Sequence, residues 1–337
     1  MPNLYVGGYG DESLRRVSLE NDRLTLLTRF PVKNASYLCL APDGKTLYAV
    51  GETQRFLGAV SGSVHAFSVQ PDGTLKQLSV KATGGADPCH VSIAAGLLWV
   101  SNYTSGSLAR FRLNPDGSIG EALKLISLPG YGPVRERQEH SHVHQAQPTP
   151  DGRIAFIDLG LDGVYFLNAH AADAEAPSLT RVAAPAGSGC RHAVFPPAGD
   201  VWYAVCELES QLLAYRNDRV VARLPIGDGR VVNYPAALRL SPDGTMLAAS
   251  GRGQNIVTLY KITEGGLPVQ LTQVSSGGDW PRDVQFTPDG GRLLCANERS
   301  GDVTLFAVEE GRLRLIDRLT TPAPTCFVFE TSDDKEE

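Results

Sequence analysis

Histidine and arginine side chains recur near the starts of short apolar segments that lie far apart in the chain. Five of these side chains are His90, His142, His144, Arg191 and His192. An imidazole exchanges protons near neutral pH, and a guanidinium binds carboxylate or phosphate oxygens in a forked geometry. If the fold gathers these segments, the sequence predicts general acid-base chemistry beside an anion-binding group.

The segment His142-Val143-His144 offers the best candidate base. Alternating residues of an extended strand lie on one face, so both imidazoles are expected to point the same way. One of them, with His144 as the first choice, could act as a general acid or base, or both could be hydrogen-bonded residues of a channel wall. A zinc-like site completed by His140 is a further alternative, but we find no cysteine, aspartate or glutamate at ligand spacing. We therefore expect no metal and no cofactor.

Arg191 needs an anionic partner if it is buried, because an unpaired buried guanidinium is costly. Glu207 follows sixteen residues later, at the end of the next predicted strand, and could hold Arg191 in place. Arg191 could equally bind a carboxylate or phosphate of a substrate. The sequence leaves these two roles open.

Two later arginines, Arg252 and Arg282, allow the same two interpretations. For Arg282 the structural alternative is an ion pair with Asp279 or Asp283. Three arginines at one mouth would form an anion receptor.

Further candidate substrate-binding residues surround the histidine pair. The long connector 129–141 interrupts the regular pattern of the chain and contributes Arg135, Arg137 and Gln138. Loops of this length in compact domains are often functional, so we expect the connector to overhang the site. The full set of candidate substrate-binding residues is His90, Gln138, His142, His192 and Arg282.

The elements that must position these residues are two recurring strands. One apolar run returns about every 48 residues, the period of four-stranded propeller blades. Its copies begin at Leu4, Leu47, Leu98, Ile154, Val201, Met246 and Leu293. A second apolar run precedes most copies and ends in a Pro-Asp-Gly type turn, which indicates antiparallel hairpins. The candidate residues lie at the starts of these second runs.

The pattern predicts an all-β protein, a seven-bladed β-propeller of four-stranded antiparallel blades. The last run, PTCFVFE at 324–330, has no turn after it, and LYVGGYG at the other end has no strand before it. Pairing the two in one blade would close the ring and remove exposed strand edges. We expect one domain over residues 1–330, followed by a disordered acidic tail at 331–337.

Composition narrows the function classes. The net charge is −6 and basic residues are scattered, so there is no electrostatic footprint for nucleic acid. No stretch is long and apolar enough for a membrane span, and nothing resembles a secretion signal. The six cysteines include no CxxC pair. We expect a monomeric cytoplasmic protein with reduced thiols.

Taken together, these segments resemble the seven-bladed propeller lactonase family, which includes 6-phosphogluconolactonases and has fungal muconate-cyclising enzymes as relatives. The resemblance extends from Leu4 to about Phe329 and rests on stretches such as SYLCLAPDGKTLYAVGE, RQEHSHVHQ, CELES and LLCANERSGDVTLF. The chain differs from the common family pattern at Val143, Cys190 and Gly251, where the family has Pro, Pro and Asn.

The resemblance implies hydrolysis of a sugar lactone, most directly of 6-phosphogluconolactone, a step of the pentose phosphate pathway. Carried over residue by residue, it implies catalytic roles for His144, Arg191, Glu207 and Arg252. We expect His144 to activate water with Glu207 orienting it, and the arginines to stabilise the oxyanion and hold the substrate. The expected partner is a small, phosphorylated sugar lactone.

Two alternatives come from other function classes. The same groups could form or isomerise the lactone of a muconate-like dicarboxylate. The chain could also be a non-catalytic propeller that binds a protein at its rim, since a fold does not fix a function. Binding propellers have no reason to collect histidine and arginine at one mouth, which favours an enzyme.

Overall fold

Alternating apolar residues and tight Asp-Gly turns fold this chain into short antiparallel strands. The computed structural model describes residues 3–198 and 200–331. The strands in chain order are β1 (Asn3–Gly8), β2 (Ser13–Glu20), β3 (Arg23–Pro31), β4 (Leu38–Leu40), β5 (Thr46–Gly51), β6 (Arg55–Phe56), β7 (Ala59–Val60), β8 (Ser63–Val69), β9 (Leu75–Ala82), β10 (Pro88–Ala94), β11 (Leu97–Asn102), β12 (Ser107–Leu113), β13 (Ile119–Ala122), β14 (Ile126–Ser127), β15 (Val143–Pro148), β16 (Arg153–Asp158), β17 (Gly163–Asn168), β18 (Leu179–Ala183), β19 (Cys190–Val194), β20 (Val201–Cys206), β21 (Gln211–Arg216), β22 (Arg219–Pro225), β23 (Tyr234–Leu240), β24 (Met246–Arg252), β25 (Ile256–Ile262), β26 (Pro268–Ser275), β27 (Pro281–Phe286), β28 (Arg292–Asn297), β29 (Asp302–Glu309), β30 (Arg312–Thr320) and β31 (Pro324–Phe329). The only helical segment among the described residues is one short 3-10 turn, Ala169–Ala171.

The described strands form seven antiparallel blades, which confirms the predicted fold class. From the inside outward the blades are β31-β1-β2-β3, β4-β5-β8-β9, β10-β11-β12-β13, β15-β16-β17-β18, β19-β20-β21-β22, β23-β24-β25-β26 and β27-β28-β29-β30. Strand β14 extends the β10 blade, and β6 with β7 makes a separate small hairpin. The predicted short apolar runs are the second strands of the blades, and the runs before them are the inner strands.

The ring closes through a blade that both ends of the chain share. Strand β31 pairs with β1, so that Leu4 lies opposite Phe329 and Val6 opposite Phe327. The inner strands of neighbouring blades also contact one another all round the ring, including β31 with β4 and with β27. The predicted closure is therefore confirmed. The predicted tail, 331–337, lies outside the described residues except for Thr331.

The core is divided among the interfaces between blades. Seven clusters of buried apolar side chains occur in the described chain, and each joins two neighbouring blades. The largest fully buried side chain, Trp99, packs tilted on Phe156 of the next blade at 5.5 Å between ring centroids. Because each blade is held from both sides, the inner strands are rigid supports for the residues at their ends.

The Asp-Gly turns have the backbone geometry that their sequence predicts. The glycines of these turns adopt φ between 71° and 78°, a backbone conformation that residues with a side chain rarely adopt. They are Gly44, Gly152, Gly244 and Gly290. Each turn joins an inner strand to the second strand of its blade. The starts of all the inner strands consequently face one end of the channel. No helix in the described part of the chain is long and apolar enough to cross a membrane.

Candidate active site

The inner strands carry an irregularity at the end of the channel where they begin. In six of them the register against the second strand shifts near the first residue, leaving one extra residue in the inner strand. Such a β-bulge re-aims the side chain of the extra residue and is common beside active sites. The extra residues are Cys89, His144, Arg191, Arg282 and Thr325, with Ala236 and Ala237 sharing the sixth bulge.

The bulged side chains converge on one pocket. Its volume is about 260 Å³ including the open mouth. Its walls are formed by Ser36, Tyr37, Glu52, Cys89, His144, Arg191, His192, Arg282, Asp283 and Thr325. Cys89, His144, Arg191, Arg282 and Thr325, the extra residues of five bulges, are all in this wall. Bulges in separate blades thus bring distant parts of the chain to one polar cavity.

A second set of residues surrounds the first. These residues lie at the ends of the second strands, so each is next to the bulge of its own or a neighbouring blade. They are Tyr9, Glu52, Tyr103, Leu159, Glu207, Arg252 and Glu298. Of this second set, Glu52 lines the pocket, and the other six residues lie outside its wall.

His144 is buried in the pocket wall. Its ring lies edge-on to His192 at 5.3 Å and edge-on to Tyr103 at 5.6 Å between centroids. Its Nδ1 has no hydrogen-bond partner among the described residues. Burial lowers the pKa of His144 well below its usual range, and the charges of Arg191, Arg282 and Arg252 lower it further. The imidazole is therefore neutral near pH 7.

Glu207 holds three arginines together. Its Oε1 accepts a hydrogen bond from Arg137 at 2.5 Å, and its Oε2 accepts one from Arg252 at 2.6 Å. The Nε of Arg191 lies 3.3 Å from the same Oε2. Burial alone would raise the pKa of Glu207, but the three guanidinium charges outweigh burial and lower it to about 2. The carboxylate is therefore ionised and outnumbered by its cationic neighbours.

Arg191 keeps part of its hydrogen-bonding capacity. One terminal nitrogen donates to the carbonyl of Ala236 at 2.5 Å, and its Nε has no hydrogen bond of good geometry despite the nearby Glu207. Burial and repulsion by Arg252 lower the pKa of Arg191 to about 9, so it remains a cation at neutral pH. The second terminal nitrogen, Nη2, makes no hydrogen bond among the described residues. A buried cation with such a donor is suited to receiving an oxyanion.

Arg252 and Arg137 reach the cluster from outside the pocket wall. Arg252 donates to Glu207 and to the carbonyl of Tyr234, and it does not line the cavity. Gly251 beside it leaves room for Asn233, whose Oδ1 is 2.6 Å from where a Cβ would stand. The Asn233 side chain thus fills the space beside Gly251, and Arg252 contacts Glu207 rather than facing the cavity.

Arg282 faces the pocket from the opposite side. It lies 3.2 Å from Glu298 and 3.9 Å from Glu52, and it donates to the hydroxyl of Tyr9 at 3.0 Å. The alternative expectation, an ion pair of Arg282 with Asp279 or Asp283, is wrong. The bulge turns Arg282 towards the ends of the second strands, where Glu52 and Glu298 lie.

Asp283 instead pairs with Arg239, a residue the sequence analysis missed. The distance between Arg239 Nη2 and Asp283 Oδ1 is 2.8 Å, and Arg239 also donates to Tyr37 and Gln285. This pair belongs to the pocket wall, because Asp283 and Tyr37 both line the cavity. Arg239 shares its strand position with Ser92, Gln147 and Gln285, so an alignment of the inner strands would have exposed it.

His90 and His192 form an aromatic wall with Tyr37. The His90 and Tyr37 rings are 4.2 Å apart, and His192 lies edge-on to His90 at 6.1 Å. Burial, with the charges of Arg239 and Arg191, lowers the pKa of His90 to about 3. Of the two, His192 reaches the pocket wall. Both imidazoles are neutral, and His90 supports His192 from behind.

His142 and Gln138 do not line the pocket, contrary to expectation. The bulge at His144 interrupts the strand alternation, so His142 stacks on Tyr103 at 4.6 Å instead of lying beside His144 in the wall. Gln138 is fully buried, and its amide donates to the carbonyl of Leu159 and to Asp162. Gln138 therefore stabilises the connector 129–141 itself. The connector residue that extends towards the pocket is Arg137, through its contact with Glu207.

Glu207 does not orient His144 directly. All hydrogen bonds of its carboxylate among the described residues go to arginine. The contact that positions His144 is the ring of Tyr103, whose hydroxyl accepts a hydrogen bond from Arg137 at 3.3 Å. The arrangement therefore supplies a neutral base, an unfilled guanidinium donor and a supporting carboxylate around a polar cavity.

Comparison with known proteins agrees with this architecture. The family model described as lactonase, 7-bladed beta-propeller matches residues 3–329. A 6-phosphogluconolactonase of Formosa agariphila is 31% identical over 265 residues, covering 74% of each chain. A 6-phosphogluconolactonase of Bacillus subtilis is 29% identical over 306 residues, covering 83% of each chain.

The likeness extends to solved structures. The periplasmic gluconolactonase of Pseudomonas aeruginosa superposes with a TM-score of 0.90 at 27% sequence identity. The superposition covers 98% of this chain and 99% of that one.

Proposed function

Because the chain belongs to the lactonase family of seven-bladed β-propellers and is a lactonase, we propose that it hydrolyses 6-phosphogluconolactone to 6-phosphogluconate. The observation that carries the proposal is the pairing of a neutral imidazole, His144, with an incompletely bonded guanidinium, Arg191, in one pocket wall. Relatives named 6-phosphogluconolactonase support the choice of substrate.

The proposed reaction is acyl transfer to water. His144 accepts a proton from a water molecule as the water oxygen bonds to the lactone carbonyl carbon. The carbonyl oxygen becomes an oxyanion and receives the hydrogen bonds that Arg191 has free. When the tetrahedral intermediate collapses, the bond from carbon to the ring oxygen breaks, and the imidazolium returns its proton to that oxygen. Water is thereby divided between the new carboxylic acid and the new hydroxyl.

The remaining charged residues hold the reacting groups in register. Glu207 fixes Arg191 from one side, and Arg252 and Arg137 fix Glu207 in turn. Fixed positions matter because a misplacement of about 1 Å can reduce the rate about 100-fold. Arg282, across the cavity, binds sugar hydroxyl oxygens, while Arg137 at the mouth meets the phosphate.

Titration of released acid at constant pH tests this assignment. Wild-type protein should accelerate the opening of 6-phosphogluconolactone above its spontaneous rate, and more than that of unphosphorylated gluconolactone. His144→Ala should lose activity by about 10²–10⁴-fold, the usual contribution of a positioned acid-base group. If wild type leaves both lactones at the spontaneous rate, this substrate assignment fails.

Two control variants separate the histidines and the phosphate site. His142→Ala, outside the pocket wall, should retain far more activity than His144→Ala. The opposite order would transfer the base to His142. Because Arg137 also fixes Glu207, Arg137→Gln should slow the opening of both lactones, but it should raise KM more for the phosphorylated lactone. Equal changes in KM for both lactones would contradict the phosphate assignment.

A further inference from the structure

The connector ends in a cluster of side chains that the proposed hydrolysis does not use. Glu139, His140 and His142 offer three ligand atoms that all lie within 4.8 Å of one another. The Nε2 of His142 is 3.1 Å from Glu139 Oε1, and the Nε2 of His140 is 3.5 Å from the same oxygen. The expectation that no carboxylate stands at ligand spacing to the histidines is therefore wrong, because Glu139 does.

Backbone carbonyls fix the orientation of both rings. His142 Nδ1 is 3.0 Å from the carbonyl oxygen of Tyr103, and His140 Nδ1 is 2.6 Å from that of Ser141. A carbonyl can only accept a hydrogen bond, so each Nδ1 carries the proton. In a neutral imidazole the lone pair then lies on Nε2.

Both Nε2 atoms point at the Glu139 carboxylate. If the rings are neutral, three acceptor atoms face one another, and they repel unless a cation lies among them, either a proton on Nε2 or a metal ion. Metal-binding histidines almost always donate the other ring nitrogen to a carbonyl or carboxylate, as both rings do here. Two imidazoles and one carboxylate form a ligand set that zinc commonly takes, with a further position open to water.

We propose that Glu139, His140 and His142 bind one divalent transition-metal ion of the Zn²⁺ class. Glu139 and His140 have side chains about half exposed, 51% and 46%, so an ion can enter from solvent. His142 is buried at 6% exposure and anchors the site to the ring of Tyr103. The proposed site differs from the zinc-like site considered from the sequence. His144 faces the pocket, and Glu139 provides the third ligand in its place.

The site lies one aromatic ring away from the pocket. Tyr103 stacks on His142 on one side of the connector and lies edge-on to His144. A bound ion would therefore tie the end of the connector 129–141 to the start of β15. The proposal concerns ion binding and does not depend on which lactone the enzyme opens.

Calorimetric titration of ZnCl₂ into metal-free full-length protein tests the proposal. Wild type should bind one ion per chain. Removal of a ligand should weaken binding at least as much as loss of an outer-shell partner, by about 10–100-fold or more, in His140→Ala and in Glu139→Gln. His140 is half exposed, so its variant should fold normally, as circular dichroism would verify.

A matched control uses an exposed histidine elsewhere. His170→Ala, in the 3-10 turn, should bind zinc as wild type does. The visible spectrum of the Co²⁺-loaded protein should show an intense absorption for wild type and His170→Ala that His140→Ala lacks. If wild type binds no ion, or if His140→Ala and wild type bind zinc equally, the proposal is overturned and the contacts are ordinary ion pairs of protonated histidine.

Discussion

Two buried carboxylates of this protein, Glu207 and Asp283, differ in the number of arginine side chains that contact them. Glu207, behind the pocket wall, is contacted by Arg137, Arg191 and Arg252, whereas Asp283, in the pocket wall, is matched by Arg239 alone. A one-to-one pair is neutral and has no charge left for a ligand. A carboxylate shared by three guanidinium groups leaves excess positive charge, which an anionic substrate or transition state can neutralise. The ratio of charges separates a structural ion pair from a receptor.

The largest expected effect is on stability when Glu207 is neutralised. Removing one partner of a buried ion pair typically costs about 3–5 kcal/mol. Glu207→Gln leaves three cations to repel one another and should fall near the upper end. Asp283→Asn should lose less than the lower end of this range, because burial already disfavours the ionised form of Asp283. Chemical denaturation of both variants measures the difference. An equal or larger loss in Asp283→Asn would remove the distinction between the clusters.

The next effect distinguishes the arginines by activity. Arg191→Ala should lower kcat by about 10²–10³-fold, as loss of an oxyanion donor does. Arg239→Ala should instead lower the free energy of unfolding, with a much smaller change in kcat, because Arg239 neutralises Asp283. Steady-state kinetics with the same lactone compares them. If Arg191→Lys restores full activity, a forked guanidinium is not required and the oxyanion role is wrong.

The pH dependence of stability should differ in sign between the two carboxylates. The pKa of Glu207 is about 2, below its usual 4.5, so its stabilisation is complete above pH 4.5 and is lost as the pH falls towards 2. That loss is about 3 kcal/mol from the size of the shift. Burial raises the pKa of Asp283 despite Arg239, so its protonation favours the folded state at low pH.

Denaturation of wild type and the two variants between pH 7 and pH 2 checks these signs. The stability advantage of wild type over Glu207→Gln should shrink on acidification. Its advantage over Asp283→Asn should grow. If stability depended on pH in the same way in both variants, the pKa values of Glu207 and Asp283 would not be shifted in opposite directions.

The smallest effect serves as a reference on the outer surface. Lys124 and Glu175 form an exposed pair at 2.8 Å, with side chains 63% and 79% exposed. Solvent and salt screen such pairs, so Lys124→Ala should change the free energy of unfolding by less than about 1 kcal/mol. A larger loss of stability in Lys124→Ala would mean that burial does not determine how much an ion pair stabilises this protein.

The fold was accessible from the sequence because each blade repeats the same local pattern. The runs beginning at Leu47 and Met246 are second strands, and the Asp-Gly turns before them have the expected backbone conformation. Repetition averages out local ambiguity, since the seven copies must be consistent with one ring. The unpaired runs at the two ends predicted the shared blade for the same reason.

The site was accessible in part. Counting residues located His144 and Arg191 at strand starts, but strict alternation could not show that a bulge aims His144 into the pocket and leaves His142 behind. A bulge depends on pairing between strands, which one strand's sequence does not reveal. Gln138 was misplaced because a polar residue in a long loop can serve the loop itself, through Leu159 and Asp162.

The residues that were missed occupy positions with a recognisable signal. Glu52, Tyr103 and Glu298 each follow the last residue of a second strand, as Glu207 does. Aligning the repeats by their second strands, not only by their inner strands, would have placed these four in one column. The contacts of Glu52 with Arg282 and of Tyr103 with His144 still required the assembled ring, because each joins residues of different blades. The contact of Glu298 with Arg282 lies within one blade.

The shared blade has a consequence for when the enzyme becomes competent during synthesis. Strand β31 supplies Thr325 to the pocket wall and contacts β4 and β27 on either side. A nascent chain still lacking this strand has an open gap in the wall, so the ribosome must release the chain beyond Phe329 before turnover can start. Products of premature termination near residue 320 would carry every proposed catalytic group and yet remain inert.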